Sequence, residues 1–301
     1  MKHFSYYLIT SLLILFYPFN CTSNNNSIST TKSTNPVVIF HGIGDNCDFP
    51  NMKSLTKLFR EQLNTYSVCL ESGGDASSIF NPLISQSEHA CGLIRYYDPN
   101  LQDKDIFIIG IGQGALIARF LIETCEGIEG RIKRFISIGG PHMGVAKVPF
   151  CENGIICSVI NSFALSMIYN SFIQDYFSPA SYYKNNHNIS NYLQYCSFLP
   201  SINNEVDLNP AYRENFKTLE KLVLIKFSND TVLIPKETAW FEFYDKDDNI
   251  VALKDSDFYN NDLIGLKYLV DQNRVDFLEF EGDHLQFTEQ DIINRIIPYF
   301  K

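Results

Sequence analysis

The chain has 301 residues, 45% of them apolar, and carries 34 acidic against 24 basic side chains for a formal net charge of −10. That length and apolar content are enough for one large α/β domain. The acidic balance argues against nucleic acid as a partner and supplies no polybasic membrane anchor.

The first residues, Met1-Lys2-His3, precede an apolar run from Tyr6 to Phe19 and then the polar stretch Asn20 to Asn26. A basic start, a short apolar core and small polar residues after it read as a secretory signal peptide over residues 1–23, too short for a confident membrane span. A polar segment, 24–34, then leads into a single domain over 35–301, expected in the secretory pathway as a lysosomal or extracellular protein. Removal of Cys21 with the signal would leave seven of the eight cysteines in an oxidising compartment, an odd number that leaves at least one thiol unpaired. No Cys-x-x-Cys spacing points to zinc, and neither a metal nor a cofactor is expected. Glycosylation acceptor triplets at Asn25, Asn188 and Asn229 agree with secretion.

Asn35-Pro36-Val37-Val38-Ile39-Phe40 is a continuous apolar run, the pattern of a strand buried on both faces of a parallel sheet. It ends in the glycine-rich turn His41-Gly42-Ile43-Gly44-Asp45, and a helix begins near Met52 with Leu55, Leu58, Phe59 and Leu63 on one face. Thr65 to Leu70 reads as a strand, Pro82 to Tyr97 as an amphipathic helix and Asp105 to Ile109 as another strand. A helix follows from Ala115 to Thr124, and then a strand from Ile132 to Ile138. This alternation is the βαβ signature of a mostly parallel sheet flanked by helices. Between about 149 and 212 the pattern changes to Asn, Ser, Tyr and Phe with short helical pieces such as Ser158 to Tyr169, which reads as a helical cap inserted over the carboxyl edge of the sheet. Strands resume at Lys221 to Phe227 and Val275 to Phe280. A last helix from Thr288 to Phe300 is opened by a Thr288/Asp291 capping box, with Ile292, Ile293, Ile296 and Ile297 as its buried face.

Three polar positions fall just after three strands. Gly110-Ile111-Gly112-Gln113-Gly114 has the outline of a nucleophile elbow, in which the middle residue of Gly-x-Ser-x-Gly presents a hydroxyl above the sheet, but its middle residue is Gly112. Asp230 follows Phe227, and His284 follows Phe280. Nucleophile, acid and histidine in that order match an α/β-hydrolase, with His284 as general base and Asp230 orienting it; Asp283 is the poorer partner, since adjacent side chains diverge. A surface or capping role for His284 and a plain Asn-Asp turn for Asp230 are the structural alternatives. An oxyanion hole would take one backbone N–H from Gln113 and one from Ile43. Cys151 and Cys157 bracket a short loop and could bridge locally; Cys91 and Cys125 end the two helices that flank the elbow.

Together, His41-Gly42-Ile43-Gly44-Asp45, the Gly112-Gln113-Gly114 elbow, Ser137 to Val145, Phe227 to Thr231, and Glu281-Gly282-Asp283-His284-Leu285-Gln286 resemble the palmitoyl-protein thioesterases over about residues 36 to 300. The resemblance implies an α/β-hydrolase fold and hydrolysis of the thioester between a fatty acyl chain and a cysteine of S-acylated peptides or proteins. It implies Asp230 and His284 as acid and base, Ile43 and Gln113 as oxyanion donors, and Cys91–Cys125 and Cys151–Cys157 as disulfides. Two departures stand out: the family's serine falls on Gly112, and its paired cysteines after the first loop are reduced to Cys47-Asp48, which leaves Cys69 as a conjectural partner for Cys47. Loss of the serine from such a triad costs on the order of a millionfold in turnover, about 8 kcal/mol of barrier. Two functions follow: a thioesterase whose catalysis is lost or severely impaired, or a non-catalytic protein that binds fatty-acyl chains or lipidated proteins in a groove lined by Phe163, Tyr169, Phe172 and Phe177.

Overall fold

A computed structural model describes residues 35–147 and 167–301. Six parallel strands, β1 (Val37–Phe40), β2 (Ser67–Cys69), β3 (Ile106–Ile111), β4 (Ile132–Ile138), β5 (Lys221–Phe227) and, after the small antiparallel pair β6 (Phe243–Tyr244) and β7 (Ile250–Val251), β8 (Val275–Phe280), form one sheet in the order β2-β1-β3-β4-β5-β8. The order reverses at β1 and β3, so the connections leaving these strands part to opposite sides and open a crevice at their carboxyl ends. The fold expected from the strand–helix alternation is the one observed.

Both faces of the sheet's centre are covered, which is why β1 and β3 read as unbroken apolar runs, whereas the edge strand β8 carries Asp276 and Glu279 among its apolar residues and is only partly buried. Val38, Phe40, Ile108, Phe135 and Leu224 face one core with α3 (Leu83–Gly92) and α4 (Gly114–Thr124). Val37, Ile39, Ile109, Ile136 and Ile225 face the other with α1 (Pro50–Leu63) and the C-terminal segment. α1 starts on Pro50, whose missing N–H costs nothing in a first turn, and buries Met52, Leu55, Leu58, Phe59 and Leu63 as expected. Strand ends shifted by a residue or two from the sequence reading: β2 is shorter, and β3 runs on to Ile111 because Gly110 and Ile111 pair with Ser137 and Ile138.

The C-terminal segment departs from the expected single helix. The Thr288/Asp291 capping box is present, but α-helix holds only over Glu289–Asp291, followed by a π turn over Ile292–Ile296 and a 3-10 turn over Ile297–Phe300. Pro298 explains the break, since it has no N–H to donate and its ring crowds the carbonyl of Asn294. Ile292, Ile296, Ile297 and Phe300 are nonetheless buried, with Ile293 packed beside them. α3 likewise ends at Gly92 and runs into a π turn over Leu93–Tyr97.

Residues 167–216 hold short helices, α5 (Ser171–Tyr176), α6 (Ile189–Tyr195), α7 (Leu199–Ile202) and α8 (Pro210–Phe216). They are tied to α4 by hydrogen bonds from Arg119 to the Ile202 carbonyl and Asn203, and from Asn215 to the Glu123 carbonyl. Most of the expected Ser158–Tyr169 helix, with Phe163, Cys151 and Cys157, lies outside the described residues, as does the expected signal segment. Among the described residues no helix is long and apolar enough to cross a membrane.

Candidate functional site

The crevice between β1 and β3 is built on close backbone approach. A Cβ on Gly110 would lie 2.4 Å from the Ala115 Cα, and one on Gly114 would lie 2.4 Å from the Phe40 carbonyl oxygen, so neither position can carry a side chain without moving backbone. Gly112 is different. Its φ is +52°, and a Cβ there would meet only the Gly42 Cα and the His284 Nε2, each at 3.8 Å, which is ordinary contact. The outer glycines are required by packing, whereas the central position has room for a side chain and points it at an imidazole nitrogen.

Asp230 and His284 are brought together from 54 residues apart. The Asp230 Oδ1 accepts the N–H groups of Val232 at 2.9 Å and Leu233 at 2.8 Å, which turns Oδ2 toward the His284 Nδ1 at 2.7 Å. Only 1% of the Asp230 side chain is exposed, against 13% for His284. With Nδ1 donating to the carboxylate, Nε2 is left as the basic nitrogen on the side of Gly112, with no protein partner among the described residues. A Cβ on Gly139 would crowd the His284 Cε1 at 3.1 Å, so that glycine admits the ring, and Phe227 meets it edge-on at 6.2 Å. Asp283 points elsewhere: it accepts from the Thr231 N–H and hydroxyl and from the His284 N–H. Partial burial opposes its ionisation, but these donors prevail and hold its carboxyl below the usual range.

The N–H groups of Ile43 and Gln113 have no acceptor among the described residues. Both are held by a buried polar bracket that the sequence did not reveal. On α2 (Ala76–Phe80), the Ser78 hydroxyl accepts the Gly44 N–H at 2.7 Å, fixing the loop that carries Ile43. The Ser78 carbonyl accepts from the Gln113 amide at 2.9 Å and from the Ser178 hydroxyl at 2.7 Å, and that hydroxyl also lies 2.8 Å from the Gln113 Oε1. Gln86 adds bonds to Gln113 and to the Ser78 carbonyl. Beneath the same loop, His41 Nε2 pairs with Glu71 at 2.9 Å, and Glu71 accepts the Cys47 N–H. Burial lowers the His41 imidazole, but Glu71 and the Gly42 carbonyl more than offset it and raise it above its usual value. Most of these partners lie 24 to 100 residues apart in sequence and form no local motif; Gln86 and Ser78 are nearer neighbours, eight residues apart.

Cys91 pairs with Cys125, and Cys47 with Cys69. Cys196 is buried and unpaired, and burial pushes its thiol up to about 12. Among the described residues, His41, Cys47 and Glu71 form the one grouping with metal-ligand spacing, but the Cys47 sulfur is committed to its disulfide and His41 to Glu71. Ser137 and His142 lie 2.7 Å apart, yet both are fully buried, and burial with the Arg119 charge drives the His142 imidazole well below its usual value. They are no substitute for a nucleophile facing the crevice. Of the expected groove aromatics, Tyr169 packs against Tyr183, Phe177 against Phe80, and Phe172 stands 65% exposed beside Tyr176.

The family model for palmitoyl protein thioesterase matches residues 36–284, a span that contains every element of this site. The chain belongs to the palmitoyl protein thioesterase family. Palmitoyl-protein thioesterase 1 of Caenorhabditis elegans is 35% identical over 278 residues, covering 88% of this chain and 91% of that protein. Palmitoyl-protein thioesterase 3 of Dictyostelium discoideum is 32% identical over 279 residues, covering 91% and 92%. The lysosomal thioesterase PPT2-B of Xenopus laevis is 28% identical over 264 residues, covering 85% and 88%. Within this thioesterase family the present chain carries glycine at the elbow's central position.

Proposed function

We propose that this protein recognises S-acylated, palmitoyl-type cysteine thioesters in the lysosomal or wider secretory compartment, and that Gly112 severely impairs their hydrolysis. In this reading His284 is the general base, Asp230 orients it and stabilises its charged form, and the N–H groups of Ile43 and Gln113 receive the oxyanion. The observation that carries it is the placement of position 112: a side chain there would start 3.8 Å from the His284 Nε2, which brings a hydroxyl on the next atom within about 3 Å, the reach of proton transfer. The names of the relatives support the substrate class and, for the frog protein, the lysosome.

The purified chain and a Gly112→Ser variant, assayed on a palmitoyl-cysteine peptide thioester, test this. Restoring serine is expected to raise kcat by about 10⁴- to 10⁶-fold, the lower figure holding where the unaltered chain keeps some activity of its own. No gain from a folded variant would refute the site geometry, and family-level turnover by the unaltered chain would refute the nucleophile assignment. The intact acid, base and oxyanion loop beside a missing hydroxyl also support a second reading, a protein that binds lipidated peptides without processing them. A non-hydrolysable palmitoyl thioether peptide bound by the unaltered chain, with no turnover of the thioester, would select that reading.

A further inference from the structure

We propose that the unaltered chain is a slow thioesterase that dispenses with an acyl-enzyme: a water molecule beside Gly112, deprotonated by His284 Nε2, attacks the thioester carbonyl directly. This inference rests on the reading of the site given above. Three features carry it. His284 Nε2 has no protein partner among the described residues while Nδ1 is held by Asp230 at 2.7 Å, so the free nitrogen is aimed as a base. The imidazole is 13% exposed, so solvent reaches it. A Cβ at position 112 would stand 3.8 Å from that nitrogen, so glycine leaves to solvent a volume that any side chain would fill.

The step balances without a co-reactant other than water. As Nε2 takes one proton, the water oxygen bonds to the acyl carbon, and the carbonyl electrons move onto oxygen, facing the Ile43 and Gln113 N–H groups. The tetrahedral intermediate then expels the sulfur with its bonding pair, the imidazolium returns the proton to it, and the products are a fatty acid and a free thiol. Thioesters suit this route. A thiol of ordinary acidity near 8.5 leaves readily as thiolate, so attack limits the rate, whereas the far more basic alkoxide of an oxygen ester needs more help to leave. The activity should therefore be selective for thioesters.

Binding and oxyanion stabilisation alone leave about a thousandfold acceleration over water when a triad is disabled. General-base assistance adds typically 10²–10⁴-fold. The proposal is tested with four proteins on a palmitoyl-cysteine thioester: the unaltered chain, Gly112→Ala, His284→Ala and Gly112→Ser, each checked for folding by thermal unfolding. The unaltered chain is expected to exceed both alanine variants by about a hundredfold, the methyl displacing the water in one and the base being absent from the other. Its thiol release should show no burst, intact-protein mass spectrometry should find no acyl adduct, and the corresponding oxygen ester should be turned over far less well. Gly112→Ser should show both a burst and an adduct. If Gly112→Ser is active but the unaltered chain is no faster than either alanine variant, direct water attack is overturned and the site reading stands. If a folded Gly112→Ser is inert, the site reading itself falls. An acyl adduct on the unaltered chain would also overturn the proposal, by revealing another nucleophile.

Discussion

Alanine placed in turn at Gly110, Gly112 and Gly114 separates a glycine that the fold requires from one that merely stands where a side chain could be. At Gly110 the new Cβ would lie 2.4 Å from the Ala115 Cα and 2.7 Å from the Gly114 carbonyl oxygen; at Gly114 it would lie 2.4 and 2.5 Å from the carbonyl oxygens of Phe40 and His41. These are backbone atoms, so α4 would have to move from the sheet by roughly 1 Å, and the cost lies at or beyond the upper end of overpacking, about 3 kcal/mol. At Gly112 the contacts are ordinary and only the φ of +52° is adverse, which costs an L-residue about 1–2 kcal/mol, offset in part by the stiffer unfolded chain. The net loss is about 1 kcal/mol. In thermal unfolding of a domain this size, that is about 2–4 °C for Gly112→Ala, against about 10 °C or failure to fold for its neighbours. Equal losses at all three positions would refute the reasoning, because position 112 would then have no room for a nucleophile and its glycine would be structural.

Two further outcomes are expected. Glu123, fully buried beside Arg119, is pushed up to about 7 by desolvation against the attraction of the guanidinium. A carboxyl that holds its proton more tightly when folded contributes most stability below its ordinary value of 4.5 and loses that contribution as pH rises toward 7. Stability of Glu123→Gln relative to the unaltered chain should therefore rise between about pH 4.5 and 7 in chemical denaturation, and a flat difference would show that Glu123 does not titrate there. Ser78→Ala removes the acceptor of the Gly44 N–H and should cost about 1–3 kcal/mol of stability. Introduced into Gly112→Ser, it should lower kcat at least about tenfold with little change in KM, through displacement of Ile43; an unchanged kcat would show that the bracket does not hold the oxyanion loop.

The central strands were legible because a parallel sheet covered on both faces needs apolar runs: Val37–Phe40 and Ile106–Ile111 are uninterrupted, and Ile132–Ile138 and Lys221–Phe227 are apolar but for Lys133, Arg134, Ser137, Lys221 and Lys226. The elbow was legible despite its missing hydroxyl because Gly110 and Gly114 are demanded by the crossing of β3, α4 and β1 whatever stands between them. The C-terminal helix was misread for a local reason: the capping box and the isoleucine spacing outweighed Pro298, which in fact divides the segment. Cys47–Cys69 could be stated only as a conjecture, since pairing depends on how close two loops come.

Sequence by itself determined which groups the crevice would hold, because chain order and strand ends place Gly112, Asp230 and His284 at the same edge of a parallel sheet. It also determined that position 112 is glycine. Tertiary structure alone decided that Asp230 meets Nδ1 at 2.7 Å and that position 112 opens toward Nε2. It alone decided that Ser78 and Ser178 brace Gln113, and that the Arg119–Glu123 pair on α4 is sealed against His142, Ile202 and Asn203. Apart from the i,i+4 spacing of Arg119 and Glu123, those contacts join residues tens of positions apart through directional hydrogen bonds, whose geometry is set by packing and leaves no period in the sequence.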